Sequence, residues 1–233
     1  RLDHRTGNAV LPRVSVVDMR EELRNGNRSI FSKRLDELIR DRLDKKEQII
    51  LFMNRRGYSN FVSCRSCGNA IRCPHCDVSL TLHRGHRLVC HYCGYTIPSF
   101  EATCKTCGGV RFTKAGIGTQ QLQDLLTKLY PSEKILRMDQ DTTMTAGSHE
   151  EILNRFRNHE ASILIGTQMI AKGLDFPNVT LVGVLNADSS LHLPDFRASE
   201  RTYQLLSQVA GRAGRAELPG EVIVQSRNVD NPI

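Results

Sequence analysis

Four Cys-x-x-Cys pairs constrain this chain more than any other feature: Cys64/Cys67, Cys73/Cys76, Cys90/Cys93 and Cys104/Cys107. All eight cysteines of the 233 residues fall within this one stretch. A disulfide framework would be spread along a small secreted chain, so the clustering points to metal in a reducing compartment. Each pair chelates from one tight turn, and thiolates at this spacing select tetrahedral Zn2+. Gly68, Gly94 and Gly108 follow the second cysteine of three pairs, where a positive φ lets backbone N–H groups turn toward sulfur. Four pairs make two sites of four cysteines each, so two Zn2+ are the expected cofactors. Sequential pairing leaves 5 and 10 residues between partners, tight for a ribbon. Nested pairing joins Cys73/Cys76 to Cys90/Cys93 across 13 residues and closes Cys64/Cys67 onto Cys104/Cys107 outside it. We favour the nested arrangement; sequential and crossed ones stay open. His75 and His91 lie inside pairs and read as surface or supporting histidines, because every pair already supplies two sulfurs.

The Cys-rich stretch interrupts a different pattern. Residues 1–61 and 115–226 alternate strand-like and helix-like segments, whereas 62–114 is short in aliphatic runs. Val14–Val17, Gln48–Met53, Ile135–Met138, Ser162–Gly166, Thr180–Leu185 and Glu221–Gln225 read as strands. Ser32 caps a helix whose Leu35, Leu38, Ile39 and Leu43 share a face. Gly118-Thr119 opens a helix bearing Leu122, Leu125, Leu126 and Leu129. Ser148 and Glu151 predict a capping box ahead of Ile152, Leu153 and Phe156. Ser199–Gly211 reads as a last helix. Strands alternating with helices predict an α/β fold, a parallel sheet covered on both faces, with ligands at the carboxyl ends of its strands. The expected organisation is one α/β domain in two parts, 1–61 and 115–226, with a zinc-binding insertion at 62–114. Residues 227–233 read as the start of a linker to a further domain. The charged start and the missing Met suggest a piece of a longer chain without a signal peptide. No apolar run has the length of a membrane span.

The formal charge of +7 suggests a polyanionic partner. Eight thiolates holding two Zn2+ remove four charges and leave about +3, so local basic sites must carry that case. In the insertion Arg65, Arg72, His83, Arg84, His86, Arg87, Lys105 and Arg111 are basic, and Tyr92, Tyr95 and Phe100 are candidates for stacking on bases. A metal-stapled, solvated face explains the same residues equally well.

Gln208-Val-Ala-Gly-Arg212-Ala-Gly-Arg215 is the most informative run outside the cysteines. Spacings of 4 and 3 place Gln208, Arg212 and Arg215 on one helical face if the helix continues. Two guanidiniums there suit a triphosphate and the charge that develops in phosphoryl transfer. Gly211 and Gly214 permit a close approach. The pattern resembles motif VI of superfamily 2 helicases. Ile163-Leu-Ile-Gly166-Thr167-Gln168 with Lys172-Gly173-Leu174-Asp175-Phe176 resembles motif V, and Ile49 to Tyr58, with Asn54-Arg55-Arg56-Gly57, resembles motif IV. Gly118-Thr119-Gln120 resembles the phosphate contact that opens a helix in that lobe, with Gln120 where the family often has Glu. The Cys array between motifs IV and V, and the run from Asn186 to Arg201, resemble the bacterial replication-restart helicases specifically.

The resemblance implies a RecA-like second helicase lobe with a two-zinc insertion. It further implies an ATP-dependent 3′-to-5′ DNA helicase that recognises stalled forks and reloads the replication machinery. Arg212 and Arg215 would be arginine fingers, Gln208 and Asp175 would lie near the nucleotide, and Gly173 would allow backbone approach. Thr119, Thr167 and Arg55 would hold DNA phosphates, which position without reading sequence. Implied partners are forked and single-stranded DNA, primosome and replication-loading proteins, and single-stranded DNA-binding protein, with no membrane. The resemblance also implies a cytoplasmic, nucleoid-associated monomer. Neither a Gly-x-x-x-x-Gly-Lys-Ser/Thr loop nor an Asp-Glu metal box is present, so ATP and Mg2+ are expected only with the first lobe in the full-length protein. The fragment alone is expected to be inactive. Two rival readings are a non-motor zinc platform for DNA or protein, and another superfamily 2 translocase with its own zinc ribbons.

Overall fold

The computed structural model describes residues 12–53, 61–83, 87–98, 103–110, 112–114, 118–145, 147–171, 176–191, 197–213 and 219–230. Strands β1 (Arg13–Asp18) and β2 (Gln48–Met53) precede five short ones: β3 (Val62–Cys64), β4 (Thr81–Leu82), β5 (Leu88–Val89), β6 (Thr96–Ile97) and β7 (Phe112–Lys114). β8 (Ile135–Met138), β9 (Ile163–Gly166), β10 (Val179–Leu185) and β11 (Glu221–Ser226) follow. The helices are α1 (Met19–Arg24), α2 (Lys33–Asp44), α3 (Thr119–Leu129), α4 (Ser148–Arg157), α5 (Asp188–Leu191) and α6 (Ala198–Ala210).

Six strands form one sheet in the order β1-β11-β10-β2-β9-β8, with every neighbouring pair parallel. Alternation along β2 divides the core. Ile49, Leu51 and Met53 pack with Leu35, Leu38 and Ile39 of α2 and Leu122 and Leu126 of α3. Ile50 and Phe52 face the other way, onto Leu153 and Phe156 of α4 and Leu205 and Val209 of α6. All residues of β2 and β10 are buried, as strands covered on both faces require. β10 is drawn close to α2 because it carries Gly183: a Cβ there would lie 2.8 Å from a methyl of Leu51 and 3.0 Å from one of Leu35.

Helix ends follow local chemistry, with three departures from sequence expectation. The Ser32 hydroxyl accepts from Leu35 N–H at 3.2 Å, as a cap should. The Ser148/Glu151 capping box does not form. Gly147, at φ +86°, takes the cap position, and the Ser148 hydroxyl donates to Thr145 O at 2.6 Å instead. Leu129 at the end of α3 is 44% exposed rather than packed. α6 stops at Ala210 and Gly211 is its C-cap, so Arg212 lies in the turn beyond it rather than one helical turn on from Gln208. Glycine's helix-disfavouring entropy accounts for the stop.

The insertion is joined to the sheet through an antiparallel neck, in which β3 pairs β7 from Val62↔Lys114 to Cys64↔Phe112. β4, β5 and β6 form a separate antiparallel sheet. Val62, Leu80 and Leu88, with Cys73 and Cys90, make a small core of its own.

Candidate metal centres and motor face

The four cysteine pairs repeat one backbone turn. In each, the N–H four residues on donates to the carbonyl of the first cysteine: Gly68 to Cys64 at 2.9 Å, Asp77 to Cys73 at 3.0 Å, Gly94 to Cys90 at 2.9 Å and Gly108 to Cys104 at 2.8 Å. The donor residue always has positive φ, and Asp77 reaches +50° where the others have glycine. Asp tolerates that region better than most side chains, which explains how the Cys73/Cys76 pair does without Gly.

These turns gather the sulfurs in nested fashion. Cys64, Cys67, Cys104 and Cys107 form one cluster; Cys73, Cys76, Cys90 and Cys93 form the other, each with ligand atoms within 4.8 Å of one another. Cross-pair Sγ–Sγ separations are 3.6 Å for Cys64–Cys107, 3.6 Å for Cys67–Cys104 and 3.5 Å for Cys73–Cys93. Two thiolates bound tetrahedrally to Zn2+ at about 2.3 Å stand about 3.8 Å apart. The donor set therefore fits that ion. Four protein ligands close the coordination shell, which suits a structural rather than a catalytic metal.

The electrostatics within each cluster are uneven. Burial pushes the Cys67 thiol up to about 12. The neighbouring Cys93 thiol, ahead of burial, does the same for Cys76. Burial also works against ionisation of Cys104, but N–H groups of Cys107 and Thr106 more than offset it and bring the thiol down to about 6. Cys90 sits at about 7 by the same balance, with N–H bonds from Cys93 and Tyr92.

His75 and His91 are exposed and supply no ligand to either cluster. His75 meets Tyr95 edge-on at 5.4 Å, and His91 Nε2 lies 3.1 Å from His83 Nε2. Of the stacking candidates, Tyr92 is exposed, Tyr95 is packed against the insertion's core, and Phe100 lies outside the described residues. Arg72 is paired with Asp77 at 3.0 Å.

On the lobe, the carboxyl ends of β8 and β9 bring two expected phosphate-binding threonines to one rim. The Thr167 N–H donates to Met138 O at 3.3 Å, while Thr119 at the start of α3 reaches across to Asp139, the residue after β8. Thr119 is buried and its hydroxyl donates to Asp139 Oδ2 at 2.5 Å. A hydroxyl committed to a carboxylate is not free to donate to phosphate, so the helix-opening N–H groups are the donors left for an anion. Gln208 is exposed near the end of α6 and Arg212 is half-buried. Arg55, Gly173, Asp175 and Arg215 lie outside the described residues. Phe176 of the motif V run is a core residue, edge-on to Phe156 with ring centres 5.0 Å apart.

Sequence reasoning does not pick out Asp139, and it meets Asp188 only inside the run from Asn186 to Arg201, without a role of its own. Each stands within three residues of the end of a sheet strand, and that position is the signal that finds them. Arg227, directly after β11, stands in the same kind of position.

Residues 110–217 match the family described as helicase conserved C-terminal domain, and residues 73–98 match the PriA DNA helicase Cys-rich region domain. The second match falls on the Cys73/Cys76 and Cys90/Cys93 knuckles. The replication restart protein PriA of Bacillus subtilis is 58% identical over 226 residues, which is 97% of this chain. This chain belongs to the PriA family. PriA of Synechocystis is 46% identical and PriA of Haemophilus influenzae 42%, each over 100% of the chain. The chain spans 28% of the Bacillus and Synechocystis PriA proteins and 31% of the Haemophilus one. Among solved structures, domain 2 of the DEAD-box helicase Mss116p is similar over 91% of this chain and 52% of that one, at 15% identity and TM-score 0.44. The PriA relationship thus takes in the parallel-sheet helicase lobe and the Cys-rich insertion alike. No helix among the described residues is long and apolar enough to cross a membrane.

Proposed function

We propose that this chain is the second motor lobe and zinc module of an ATP-dependent 3′-to-5′ DNA helicase that recognises stalled forks and restarts replication by loading the primosome. The observation that carries the reading is likeness to PriA along the whole chain, across lobe and Cys-rich insertion together. The rim geometry supports it: Thr167 follows β9 and Thr119 opens α3 against Asp139 at the end of β8, a rim along which a phosphate backbone would run.

In this reading α3 presents its N-terminal N–H groups to a DNA phosphate, with Thr119 and Asp139 holding the helix start in place. Arg55 and Thr167 grip the same strand. Gln208, Arg212 and Arg215 face the nucleotide bound between this lobe and a first lobe, where two guanidiniums steady charge during phosphoryl transfer. Gly173 and Asp175 border that nucleotide. ATP and Mg2+ are held only by the longer protein, and the chain by itself does not turn over ATP. Each four-cysteine cluster holds one Zn2+, which supplies the folding energy that the insertion's small core lacks. Forked and single-stranded DNA, the primosome and single-stranded DNA-binding protein are its partners in a cytoplasmic setting.

The test is ATP hydrolysis by the protein extended to include a first lobe, with forked, single-stranded and blunt duplex DNA, repeated with Arg215→Ala. Strongest stimulation by forks, abolished by the substitution, is expected. Preference for blunt duplex would point to another superfamily 2 translocase. Turnover indifferent to Arg215 would leave a zinc-based binding platform.

A further inference from the structure

Of the three knuckle glycines, only one touches the lobe. A Cβ at Gly68 would meet Arg227 O at 2.6 Å and Arg227 Cβ at 3.0 Å, whereas at Gly94 and Gly108 it would meet nothing within 4 Å. The Cys64/Cys67 knuckle is therefore seated on the residue that follows β11. Arg227 is pinned from the other side. Its N–H donates to Asp188 Oδ2 at 2.6 Å, and the Ser226 hydroxyl donates to Asp188 Oδ1 at 2.6 Å. Asp188, the first residue of α5, is itself buried three residues past β10.

The Arg227 guanidinium differs from the other inward-turned arginines of the lobe. Arg20 pairs with Asp18, Arg42 with Asp41 and Glu221, and Arg137 with Asp139. The Nε of Arg227 is buried with no hydrogen-bond partner, as it is in Arg42 and Arg137, but unlike them Arg227 has no carboxylate within ion-pair distance of its guanidinium among the described residues. Burial pushes it below the usual arginine range; Asp188 pulls the other way and Arg65 adds to the push. A half-buried cation whose Nε is shut off from solvent calls for an anion.

The adjoining knuckle supplies one in a single state. Four thiolates on Zn2+ carry a net charge of about −2, whereas four thiols carry none. We propose that Arg227 is the counter-cation of the filled Cys64/Cys67/Cys104/Cys107 site, so that zinc loading docks the module on the end of β11. Arg227 is then a positioning residue: it ties the metal's charge to the sheet that carries the motor rim. The inference rests on the zinc reading of the clusters and not on the motor reading. Among the described residues the second cluster shows no equivalent seam: a Cβ at Gly94 would meet nothing within 4 Å, and Arg72 is paired with Asp77.

Zinc content of the purified full chain, by elemental analysis, comes first. A wild-type protein without two zinc ions strikes the metal reading itself. Zinc release is then followed under a mercurial thiol titrant with a chromogenic chelator. In Arg227→Met one zinc should leave about tenfold faster and the other at the wild-type rate, with Arg227→Lys recovering part of the difference. Gly68→Ala should match Arg227→Met. Gly108→Ala is the control in the same site, with the same left-handed backbone but nothing to clash with, and should release zinc much more slowly than Gly68→Ala. Wild-type release of both ions from Arg227→Met overturns the proposal, as does equal release from the two glycine variants. So does unchanged release with a weakened salt dependence of single-stranded DNA binding, which would assign the guanidinium to a phosphate. If Arg227→Met does not fold, the glycine pair decides.

Discussion

The Thr119 hydroxyl donates to the buried Asp139 carboxylate, locking the first residue of α3 to the end of β8. Asp139 also accepts from Thr142 N–H at 3.0 Å, so one carboxylate fixes both a helix start and the turn after a strand. Thr119→Val should remove the donor and leave that oxygen only its ion pair with Arg137 at 3.3 Å. A stability loss of about 1–3 kcal/mol is expected in denaturant melts. Because the N–H groups of α3 remain, DNA affinity should fall less than the loss of a direct phosphate contact would require. A collapse in affinity with unchanged stability would instead make the hydroxyl the DNA ligand.

Asp139 also sets a pH dependence. Burial works against its charge, but the Thr119 and Thr142 bonds and Arg137 hold the carboxyl below the usual carboxylate range. A group whose folded value is depressed stabilises the fold above its unfolded value, about 3.9, and loses that contribution as pH falls through the folded value. Asp139→Asn should therefore be less stable than wild type at neutral pH, with the gap closing in acid. A gap that stays constant from about pH 7 to about pH 3 would show that charge is not involved.

Gly166 ends β9 directly before Thr167. A Cβ there would stand 2.9 Å from Met138 O and 1.9 Å from the Ile170 side chain. Gly166→Ala should cost about 1–3 kcal/mol through overpacking and should displace Thr167 from the rim. Thermal melts measure the first effect, and the salt dependence of DNA binding the second. A variant as stable as wild type would mean that Ile170 repacks freely.

The two clusters share no cysteine, so metal loss should be separable. Cys104→Ser should retain one zinc per chain and Cys90→Ser the other, by elemental analysis. Loss of both ions from either variant would mean that the sites fold as one unit.

Zinc affinity should also fall with pH. Empty Cys67 and Cys76 thiols, near 12, hold protons throughout the neutral range, and metal must expel them. Lowering pH from about 8 to about 5 should weaken retention against a chelator by about tenfold per unit for each proton displaced. Retention independent of pH would mean the thiols are already ionised before metal arrives.

Much of this was legible in the chain because the signals are local. Apolar runs such as Gln48–Met53 and the spacing of Leu35, Leu38 and Ile39 report backbone period directly. A Cys-x-x-Cys pair is complete within one turn, so it marks a ligand pair wherever the turn is placed. Where local signals compete, sequence reasoning fails: Gly147 wins the cap from Ser148, and Gly211 ends the helix before Arg212.

By itself, then, the sequence determined the element types, the thiolate pairs and the motifs that relate the chain to the helicases. Only the tertiary structure decided the strand order β1-β11-β10-β2-β9-β8, the bond from Thr119 to Asp139, and the seating of Gly68 on Arg227. Those last two relations join residues 20 and 159 positions apart. No short-range period encodes such contacts; they arise when the packed sheet brings its strand ends and the insertion into one place.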